Sequence, residues 1–242
     1  MECVILAGGL GTRMRPVTER SPKWLLPVAG RPFAVHQLRW LERAGVDRVI
    51  VAAGHLADLI EVFVDDWRRG NDLEVVVESD GDDLLGTAGG LRKAALSHAT
   101  GDGVLVLYGD SYLDLDVTAL WQAAGRGRTA MMSVYKNAGN WDKSNAVVEG
   151  GRVALYDKAA DGEAAAAMTY IDYGLSVLPM GTLRDRVPAA GASDLADLYR
   201  ELSLSGELGA FVATKRFYEV GSPEGLADLE AHLAAGGKGA AS

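Results

Sequence analysis

The stretch Leu6-Ala7-Gly8-Gly9-Leu10-Gly11-Thr12-Arg13-Met14 follows directly on an apolar run at 2–6 that is typical of a buried strand. Glycines let the backbone approach a ligand closely, and successive N–H groups in such a turn form a concave anion site. Arg13 adds a permanent planar cation that suits phosphate oxygens. The stretch is neither a dinucleotide fingerprint, which needs glycine at Met14, nor a P-loop, which ends in Gly-Lys-Ser/Thr. The less favoured alternative is a glycine turn that only links a strand to a helix.

A second cation follows in Ser21-Pro22-Lys23. Pro22 fixes its own φ and restricts Ser21 to extended conformations, so less entropy is lost when Lys23 is aimed at a ligand. Taken alone, this element is better explained as an exposed lysine after a turn. Its place shortly after a predicted anion site makes Lys23 a candidate for binding phosphate.

The charge of the chain is unevenly distributed. The chain has 242 residues, 48% of them hydrophobic, and a formal net charge of −9, which argues against a general nucleic-acid partner. Residues 1–40 nevertheless carry six cations and two acids, and this excess suggests a local site for a small anion. Cys3 is the single cysteine, so no intramolecular disulfide and no cysteine-rich metal site is expected, and we interpret it as a buried thiol.

Apolar runs and helical patterns alternate in the first half of the chain. Strands are predicted at 2–6, 48–53, 73–77 and 104–108, and helices from Pro32 to about Gly45, at 56–69 and at 88–98. This alternation indicates a parallel sheet covered on both faces, in a single α/β domain. No apolar run approaches the ~20 residues of a membrane helix, and the run 4–7 is too short for a signal peptide, so the cytoplasm is the expected location.

From about residue 129 the strands follow one another with shorter connections. They are predicted at 129–135, 145–148, 153–156 and 171–177, with Gly150-Gly151 as a turn between two of them. Helices are predicted at 193–204 and 222–235, with Ser193 and Ser222 as N-caps and Pro223 in the first helical position. Residues 236–242 are expected to form a flexible tail.

Together, the two cationic segments read G-G-x-G-T-R-M-x-P-x(5)-P-K between Gly8 and Lys23. This combination resembles the signature of the sugar-1-phosphate nucleotidyltransferases, also called nucleotide-sugar pyrophosphorylases, and the resemblance extends from Met1 to about Ala235. It implies a mostly parallel, Rossmann-like sheet in one domain at 1–235, with a nucleotide-binding half at about 1–128 and a mixed-strand sugar-phosphate half at about 129–235. It also implies the reaction, in which a nucleoside monophosphate passes from a triphosphate to a sugar 1-phosphate and pyrophosphate leaves.

The resemblance implies roles for residues of the nucleotide half. Leu85-Gly86-Thr87-Ala88-Gly89-Gly90 is similar to the family's second glycine loop, which holds the base and ribose. The implied catalytic residues are Arg13, which would hold the leaving pyrophosphate, Lys23, which would neutralise charge at the α-phosphate, and Asp110. The implied nucleotide contacts are Leu6, Ala7, Gly8, Gly9, Gly11, Thr12, Arg13, Glu78, Gly86, Thr87, Ala88 and Gly109.

The family also implies a magnesium ion and a sugar site. Asp110 ends an apolar strand where the family has an aspartate that binds Mg²⁺, and carboxylate oxygens are the ligands that Mg²⁺ prefers. The chain departs from the family at Glu219, because the second metal ligand there is commonly aspartate; Glu219 is the candidate second ligand. The implied sugar-phosphate contacts are Asn145, Asp157, Lys158, Asp172 and Tyr173.

The substrates and the competing functions are less sharply defined. The stretches 135–145 and 170–174 look most like guanylyltransferases that act on heptose 1-phosphates, so GTP is favoured, while the other bases stay open.

One alternative function is that of a glycosyltransferase of the related nucleotide-sugar fold, since Asp114-Leu115-Asp116 matches its Asp-x-Asp metal motif. We favour a role at a helix N-terminus for this stretch. Another is a non-catalytic regulatory paralogue that binds nucleotide sugars. The four histidines fall in no motif and are expected to be structural or surface residues. No membrane partner is expected, and homo-oligomerisation stays open.

Overall fold

The computed structural model describes residues 1–81, 84–137 and 139–237. The strands are β1 (Glu2–Leu6), β2 (Pro27–Val28), β3 (Arg31–Pro32), β4 (Arg48–Ala53), β5 (Glu74–Ser79), β6 (Gly103–Tyr108), β7 (Ser111–Tyr112), β8 (Met131–Lys136), β9 (Ala146–Glu149), β10 (Arg152–Tyr156), β11 (Tyr170–Pro179), β12 (Gly209–Ala213) and β13 (Tyr218–Glu219). The helices are α1 (Phe33–Arg43), α2 (Ala57–Arg68), α3 (Gly86–His98), α4 (Val117–Ala123), α5 (Gly162–Ala167), α6 (Met180–Arg186), α7 (Leu195–Leu204) and α8 (Pro223–Gly237). The strands and helices predicted from the sequence are confirmed to within about four residues at each end.

One mixed sheet runs through the described part of the chain in the order β5-β4-β1-β6-β11-β8-β12-β10-β9. The first four strands of this order are parallel. β11 then runs antiparallel to both of its neighbours, β6 and β8, and joins the two halves of the sheet. The α/β class and the parallel first half are therefore confirmed, and the second half contains the predicted mixture of strand directions.

The two faces of the sheet are covered by different helices. Cys3 and Ile5 of β1 face a core formed with α1, α2 and α4, whereas Val4 faces a core formed with α3, α6 and α7. All three side chains are fully buried, as expected for a strand that is covered on both sides. Burial also raises the pKa of the Cys3 thiol, which is therefore a packing group, as predicted.

The N-cap predicted for α7 is wrong by one residue. Asp194 caps the helix, because its Oδ1 accepts the N–H of Ala196 at 2.9 Å. Ser193 precedes the cap, and its carbonyl oxygen accepts a hydrogen bond from Ala88 of α3. The other predicted cap is confirmed, since Ser222 Oγ accepts the N–H of Gly225 at 3.1 Å.

The remaining differences concern short elements and chain ends. Gly150 and Gly151 form the predicted turn, with φ values of 54° and 76° that favour glycine. The sequence indicated only the N-terminus of α4, at 114–116, and did not indicate β2, β3, β7, α5, α6, β12 or β13. All of these elements are at most seven residues long. The last helix continues to Gly237, two residues beyond its predicted end, and the rest of the predicted tail lies outside the described residues.

Candidate active site

A cleft of about 680 Å³ opens where the parallel strands β1, β4 and β6 end. The chain segments that follow β1 and β6 approach each other closely here. The N–H of Gly109 donates to the carbonyl of Leu6 at 3.0 Å, and a Cβ on Gly109 would lie 2.6 Å from that oxygen. Carboxyl ends of parallel strands are where α/β sheets bind ligands. Fourteen of the residues named from the sequence line this cleft: Leu6, Ala7, Gly8, Gly9, Arg13, Lys23, Gly86, Thr87, Gly109, Asp110, Asn145, Lys158, Asp172 and Glu219.

Lys23 and Asp110 form an ion pair within the cleft, with Nζ 2.9 Å from Oδ2. Their side chains are 18% and 27% exposed, so the pair is partly shielded but reachable from solvent. The two residues are 87 positions apart in the sequence, and the fold brings them together. The pair places a mobile cation beside the carboxylate that was predicted to hold a metal.

Gln37 of α1 aligns the segments that carry this ion pair. Its Oε1 accepts the indole N–H of Trp24, the neighbour of Lys23, at 2.8 Å. Its Nε2 donates to the carbonyls of Tyr108 and Ser111, on either side of Asp110, at 2.9 and 2.7 Å. Gln37 is 1% exposed, so these hydrogen bonds form out of contact with water and hold both segments in register.

Glu219 lies next to Asp110 because two short strands pair. β13 runs antiparallel to β7 with Glu219 opposite Ser111, and the N–H of Val220 donates to the carbonyl of Asp110 at 2.8 Å. Burial, together with the nearby carboxylates of Asp110 and Asp142, raises the pKa of Glu219 to about 7, although the cations of Arg13 and Lys23 act in the opposite direction. The position that departs from the family pattern is thus a carboxyl group inside the cleft with a strongly perturbed pKa.

Asp110 and Glu219 bring two carboxyl groups to the same part of the cleft. No group of three or more histidine, cysteine or acidic side chains is arranged to hold a metal ion in the part of the chain that the structure describes. Mg²⁺ is commonly bound by one or two carboxylates, with water and substrate phosphates as its other ligands. Asp110 and Glu219 therefore offer the kind and number of protein ligands that Mg²⁺ commonly takes.

The second half of the chain adds a partly buried carboxylate to the cleft. Asp172 Oδ2 accepts the hydroxyls of Tyr108 at 2.7 Å and Tyr156 at 3.4 Å. Asn145 Oδ1 accepts the N–H of Asp172 at 2.9 Å. Burial raises the pKa of Asp172, while the cation of Lys158 lowers it. These groups offer hydrogen-bond partners for a polyhydroxylated ligand.

Lys158 lies above the ring of Tyr108, with Nζ 5.3 Å from the ring centroid. A cation at this distance from an aromatic face is attracted to the ring, which favours one orientation of the flexible side chain. Tyr108 therefore contacts both predicted sugar-side groups, Asp172 through its hydroxyl and Lys158 through its ring. The sequence singled out Tyr108 only as part of the strand that precedes Asp110.

Six of the residues implied by the resemblance do not line the cleft. Glu78 pairs with Lys93 and His98 on the outer side of α3. Asp157 pairs with Arg200 of α7 and accepts the N–H of Ala159, while the buried Tyr173 packs in the core, edge to face on Phe217. Ala88 is buried in α3, and Gly11 and Thr12 begin the short 3-10 helix that contains Arg13. A sequence motif marks the segment, but the direction of each side chain depends on packing.

Other cleft residues were not predicted as contacts. They are Leu10, Trp24, Ala52, Asp80, Leu84, Gly90, Tyr108, Asp142, Lys143 and Ile171. Asp80 directly follows β5, and its Oδ2 accepts the N–H of Leu85 at 3.3 Å, at the start of the second glycine loop. Burial raises the pKa of Asp80. An acidic residue at a strand end beside a glycine loop was a usable signal, but nothing in the sequence distinguished it from Asp82 and Asp83, which lie outside the described residues.

The Asp-x-Asp stretch lies outside the cleft. Asp116 is the N-cap of α4, where its Oδ1 accepts the N–H of Ala119 at 2.9 Å, and Asp114 pairs with Lys215 at 2.6 Å. The predicted role at a helix N-terminus is confirmed for Asp116. His36, His55, His98 and His232 do not line the cleft.

Comparison with known proteins identifies the class. Residues 3–215 match the family model of the MobA-like NTP transferase domain, and the chain belongs to this family. Its curated relatives are nucleotidyltransferases that act on sugar 1-phosphates. The predicted resemblance is thereby confirmed at the level of the family.

Three relatives show how far the similarity extends. A UTP–glucose-1-phosphate uridylyltransferase from Synechocystis sp. is 38% identical over 126 residues, which are 49% of this chain and 32% of that protein. A D-glycero-alpha-D-manno-heptose 1-phosphate guanylyltransferase from Aneurinibacillus thermoaerophilus is 32% identical over 123 residues, 50% of this chain and 51% of that protein. A mannose-1-phosphate guanyltransferase from Gibberella zeae is 27% identical over 93% of this chain and 62% of its own length. The matches thus span between about a third and two thirds of these relatives.

The same fold occurs in solved structures. HddC from Yersinia pseudotuberculosis, complexed with GMP-PN, superposes with a TM-score of 0.76 over 96% of this chain and 99% of that chain, at 23% identity. A Bacillus anthracis protein described as a putative glucose-1-phosphate thymidylyltransferase gives a TM-score of 0.80 over 96% and 94% of the two chains, at 18% identity. At these identities the similarity supports the fold. Among the described helices, none has the length and apolar character needed to span a membrane.

Proposed function

We propose that this protein transfers a nucleoside monophosphate from a nucleoside triphosphate to a sugar 1-phosphate and releases pyrophosphate. The observation that carries the proposal is the pair of Lys23 and Asp110, which lies in one cleft between a glycine turn and a set of polar sugar-side groups. One end of the cleft suits phosphates, the other suits hydroxyls, and the reacting phosphate would lie between them. We expect this reaction to take place in the cytoplasm.

In the proposed reaction an oxygen of the sugar phosphate attacks the α-phosphorus, and the bond from the α-phosphorus to the bridging oxygen of pyrophosphate breaks. Catalysis of this kind depends mainly on positioning and on neutralising charge. Arg13 and the N–H groups of the glycine turn would hold the leaving pyrophosphate, Lys23 would turn from Asp110 to the α-phosphate, and Lys158 would hold the sugar phosphate. The nucleophile is already ionised at neutral pH, so no general base is required, which agrees with a cleft that His36, His55, His98 and His232 do not line.

We expect Asp110 and Glu219 to bind Mg²⁺ that enters with the triphosphate. The ion would neutralise charge on the nucleotide phosphates and on the attacking phosphate. Glu219 has to lose its proton in order to bind it, and a pKa of about 7 means that ligand-free protein at neutral pH holds this proton about half of the time. Binding of the ion and ionisation of Glu219 are therefore coupled.

We favour GTP and a heptose 1-phosphate as the substrates. An ionised carboxylate only accepts hydrogen bonds, and guanine presents two neighbouring donors, N1–H and the 2-amino group, on one edge. Asp80 lies in the cleft beside the second glycine loop, and its carboxylate can accept hydrogen bonds from both donors of guanine. In the other bases, a hydrogen-bond acceptor stands beside each donor on that edge. The Aneurinibacillus thermoaerophilus relative, which is named as a heptose 1-phosphate guanylyltransferase, supports the same choice.

The test is pyrophosphate release from a panel of five triphosphates, each combined with mannose, glucose and heptose 1-phosphates in the presence of Mg²⁺. We expect GTP to give the highest kcat/KM, and Asp80→Asn to reduce the preference for GTP over the other triphosphates by about tenfold, since one accepted hydrogen bond is lost. Consumption of a nucleotide sugar without pyrophosphate would point to a glycosyltransferase. Binding of nucleotide sugar without turnover of any combination would point to a regulatory protein.

A further inference from the structure

The second glycine loop of the cleft is held from outside by the start of helix α7. The hydroxyl of Thr87 donates to Oδ1 of Asp194 at 3.0 Å and accepts the N–H of Leu195 at 2.8 Å. This hydroxyl is therefore engaged by α7, and Thr87 presents the rest of its surface to the cleft. The hydrogen bond between Thr87 and Asp194 joins residues that are 107 positions apart in the sequence.

The backbone of the same loop is bound to the residue that precedes the cap. The N–H of Ala88 donates to the carbonyl of Ser193 at 3.0 Å, and the N–H of Ser193 donates to the carbonyl of Leu85 at 2.9 Å. Gly86 lies between them with a φ of 72°, and a Cβ there would lie 2.4 Å from the Ser193 oxygen. The loop thus follows the shape of segment 193–195 so closely that only glycine fits.

Asp194 is the side chain in which these contacts meet. A single oxygen, Oδ1, accepts both the Thr87 hydroxyl and, at 2.9 Å, the N–H of Ala196 in the first turn of α7. The carboxylate therefore ties the cleft loop to a helix that packs in the core through Leu198 and Leu202. Such a tie restricts the loop before any ligand binds, and this lowers the entropy that is lost on binding.

We propose that Asp194 is a positioning residue of the nucleotide subsite: it holds Gly86 and Thr87 in the conformation that contacts the triphosphate. This proposal rests on the proposed function, in which these two residues bind nucleotide. Asp194 belongs to the second half of the chain, where it is the exposed N-cap of α7. No glycine motif or phosphate-binding motif of the sequence includes it. Asp194 does not touch the nucleotide and acts through Thr87.

The test separates the two hydrogen bonds of Asp194. Asp194→Ser keeps an oxygen that can cap the helix, but this oxygen lies one bond nearer the backbone and no longer reaches Thr87. Asp194→Asn keeps an acceptor for both donors. Asp116→Ser is the matched control, because Asp116 also caps a helix, α4, where its Oδ1 accepts the N–H of Ala119 at 2.9 Å, at a site outside the cleft.

Affinity is measured by calorimetry with the non-reacting analogue guanosine 5′-(α,β-methylene)triphosphate and Mg²⁺, beside thermal melts and both KM values. We expect Asp194→Ser to weaken binding of the analogue and to raise the KM for the triphosphate by about fivefold to twentyfold, near the lower end of the loss of one hydrogen bond to a charged group, because this contact is exposed. The KM for sugar phosphate should change less than twofold. Asp194→Asn should behave as the parent, and Asp116→Ser should lower the melting temperature as Asp194→Ser does without weakening the analogue.

Several results would overturn the proposal. Unchanged analogue affinity in Asp194→Ser would show that the loop keeps its conformation without the tie. Equal increases in both KM values, or a similar loss in Asp116→Ser, would reduce the role of Asp194 to general stability. A parent protein that binds the analogue but transfers no nucleotide would contradict the proposed reaction and leave the positioning role open to the same calorimetric comparison.

Discussion

Glu219→Gln should stabilise the ligand-free protein at alkaline pH. The pKa of Glu219 is raised from 4.5 to about 7, chiefly by burial. Below pH 4.5 the folded and unfolded chains both hold the proton, so the shift has no effect. As the pH rises from 4.5 to 7, the unfolded chain loses the proton first, and the free energy of unfolding falls. Above pH 7 the loss is complete and amounts to about 3 kcal/mol.

Glutamine removes this cost because it has the shape of the protonated acid and does not ionise. For a domain of this size, about 3 kcal/mol corresponds to roughly 6–12 °C in the midpoint of thermal unfolding. Melts of parent and variant are compared in a metal chelator at pH 5.0 and pH 8.5. The gain of Glu219→Gln over the parent should be small at pH 5.0 and approach its full value at pH 8.5.

Glu61→Gln is the matched control, because Glu61 is exposed on α2 and should give the same small change at both pH values. A gain of equal size at both pH values would mean that glutamine improves packing without any contribution from ionisation. No gain at pH 8.5 would mean that Glu219 ionises as easily in the folded protein as in the unfolded chain. Either result refutes the reasoning.

The other predictions concern catalysis. Lys23→Ala should lower kcat by ~10²–10³, because one preorganised cation is lost, and turnover within a few-fold of the parent would exclude this role. Lys158→Ala should raise the KM for sugar phosphate far more than that for the triphosphate; equal effects in steady-state kinetics would indicate a fold defect. Asp110→Asn should stay nearly inactive at every Mg²⁺ concentration, whereas Glu219→Gln should regain part of its rate as Mg²⁺ is raised. Metal titrations that coincide for Glu219→Gln and the parent would remove Glu219 from the site.

The two halves of the chain contribute jointly to the cleft. The nucleotide half supplies Lys23 and Asp110, and the second half supplies Glu219 through the pairing of β13 with β7. Tyr108 of β6, in the first half of the chain, also donates a hydrogen bond to Asp172 of β11, in the second half. The division at about residue 128 is therefore one of sequence pattern, and the residues that line the cleft come from both sides of it.

The sequence alone determined the glycine turn, the cations Arg13 and Lys23, and the strand that ends at Asp110. These features are local: a turn needs glycines, a buried parallel strand needs a continuous apolar run, and a phosphate site needs fixed positive charge, so neighbouring residues record them. The resemblance added the sugar-side segments for the same reason, because each of them is a short contiguous motif.

Only the tertiary structure decided which side chains face the cleft. Glu78 and Asp157 belong to segments that were predicted correctly, but each turns toward a basic partner outside the cleft, Lys93 or Arg200, because packing selects the direction of a side chain at a strand end. Gln37 and Asp194 act through residues 71 and 107 positions away. Such contacts leave no local pattern, since either residue would serve equally well as an ordinary helix or cap position. They exist because the folded chain brings those particular atoms within hydrogen-bonding distance.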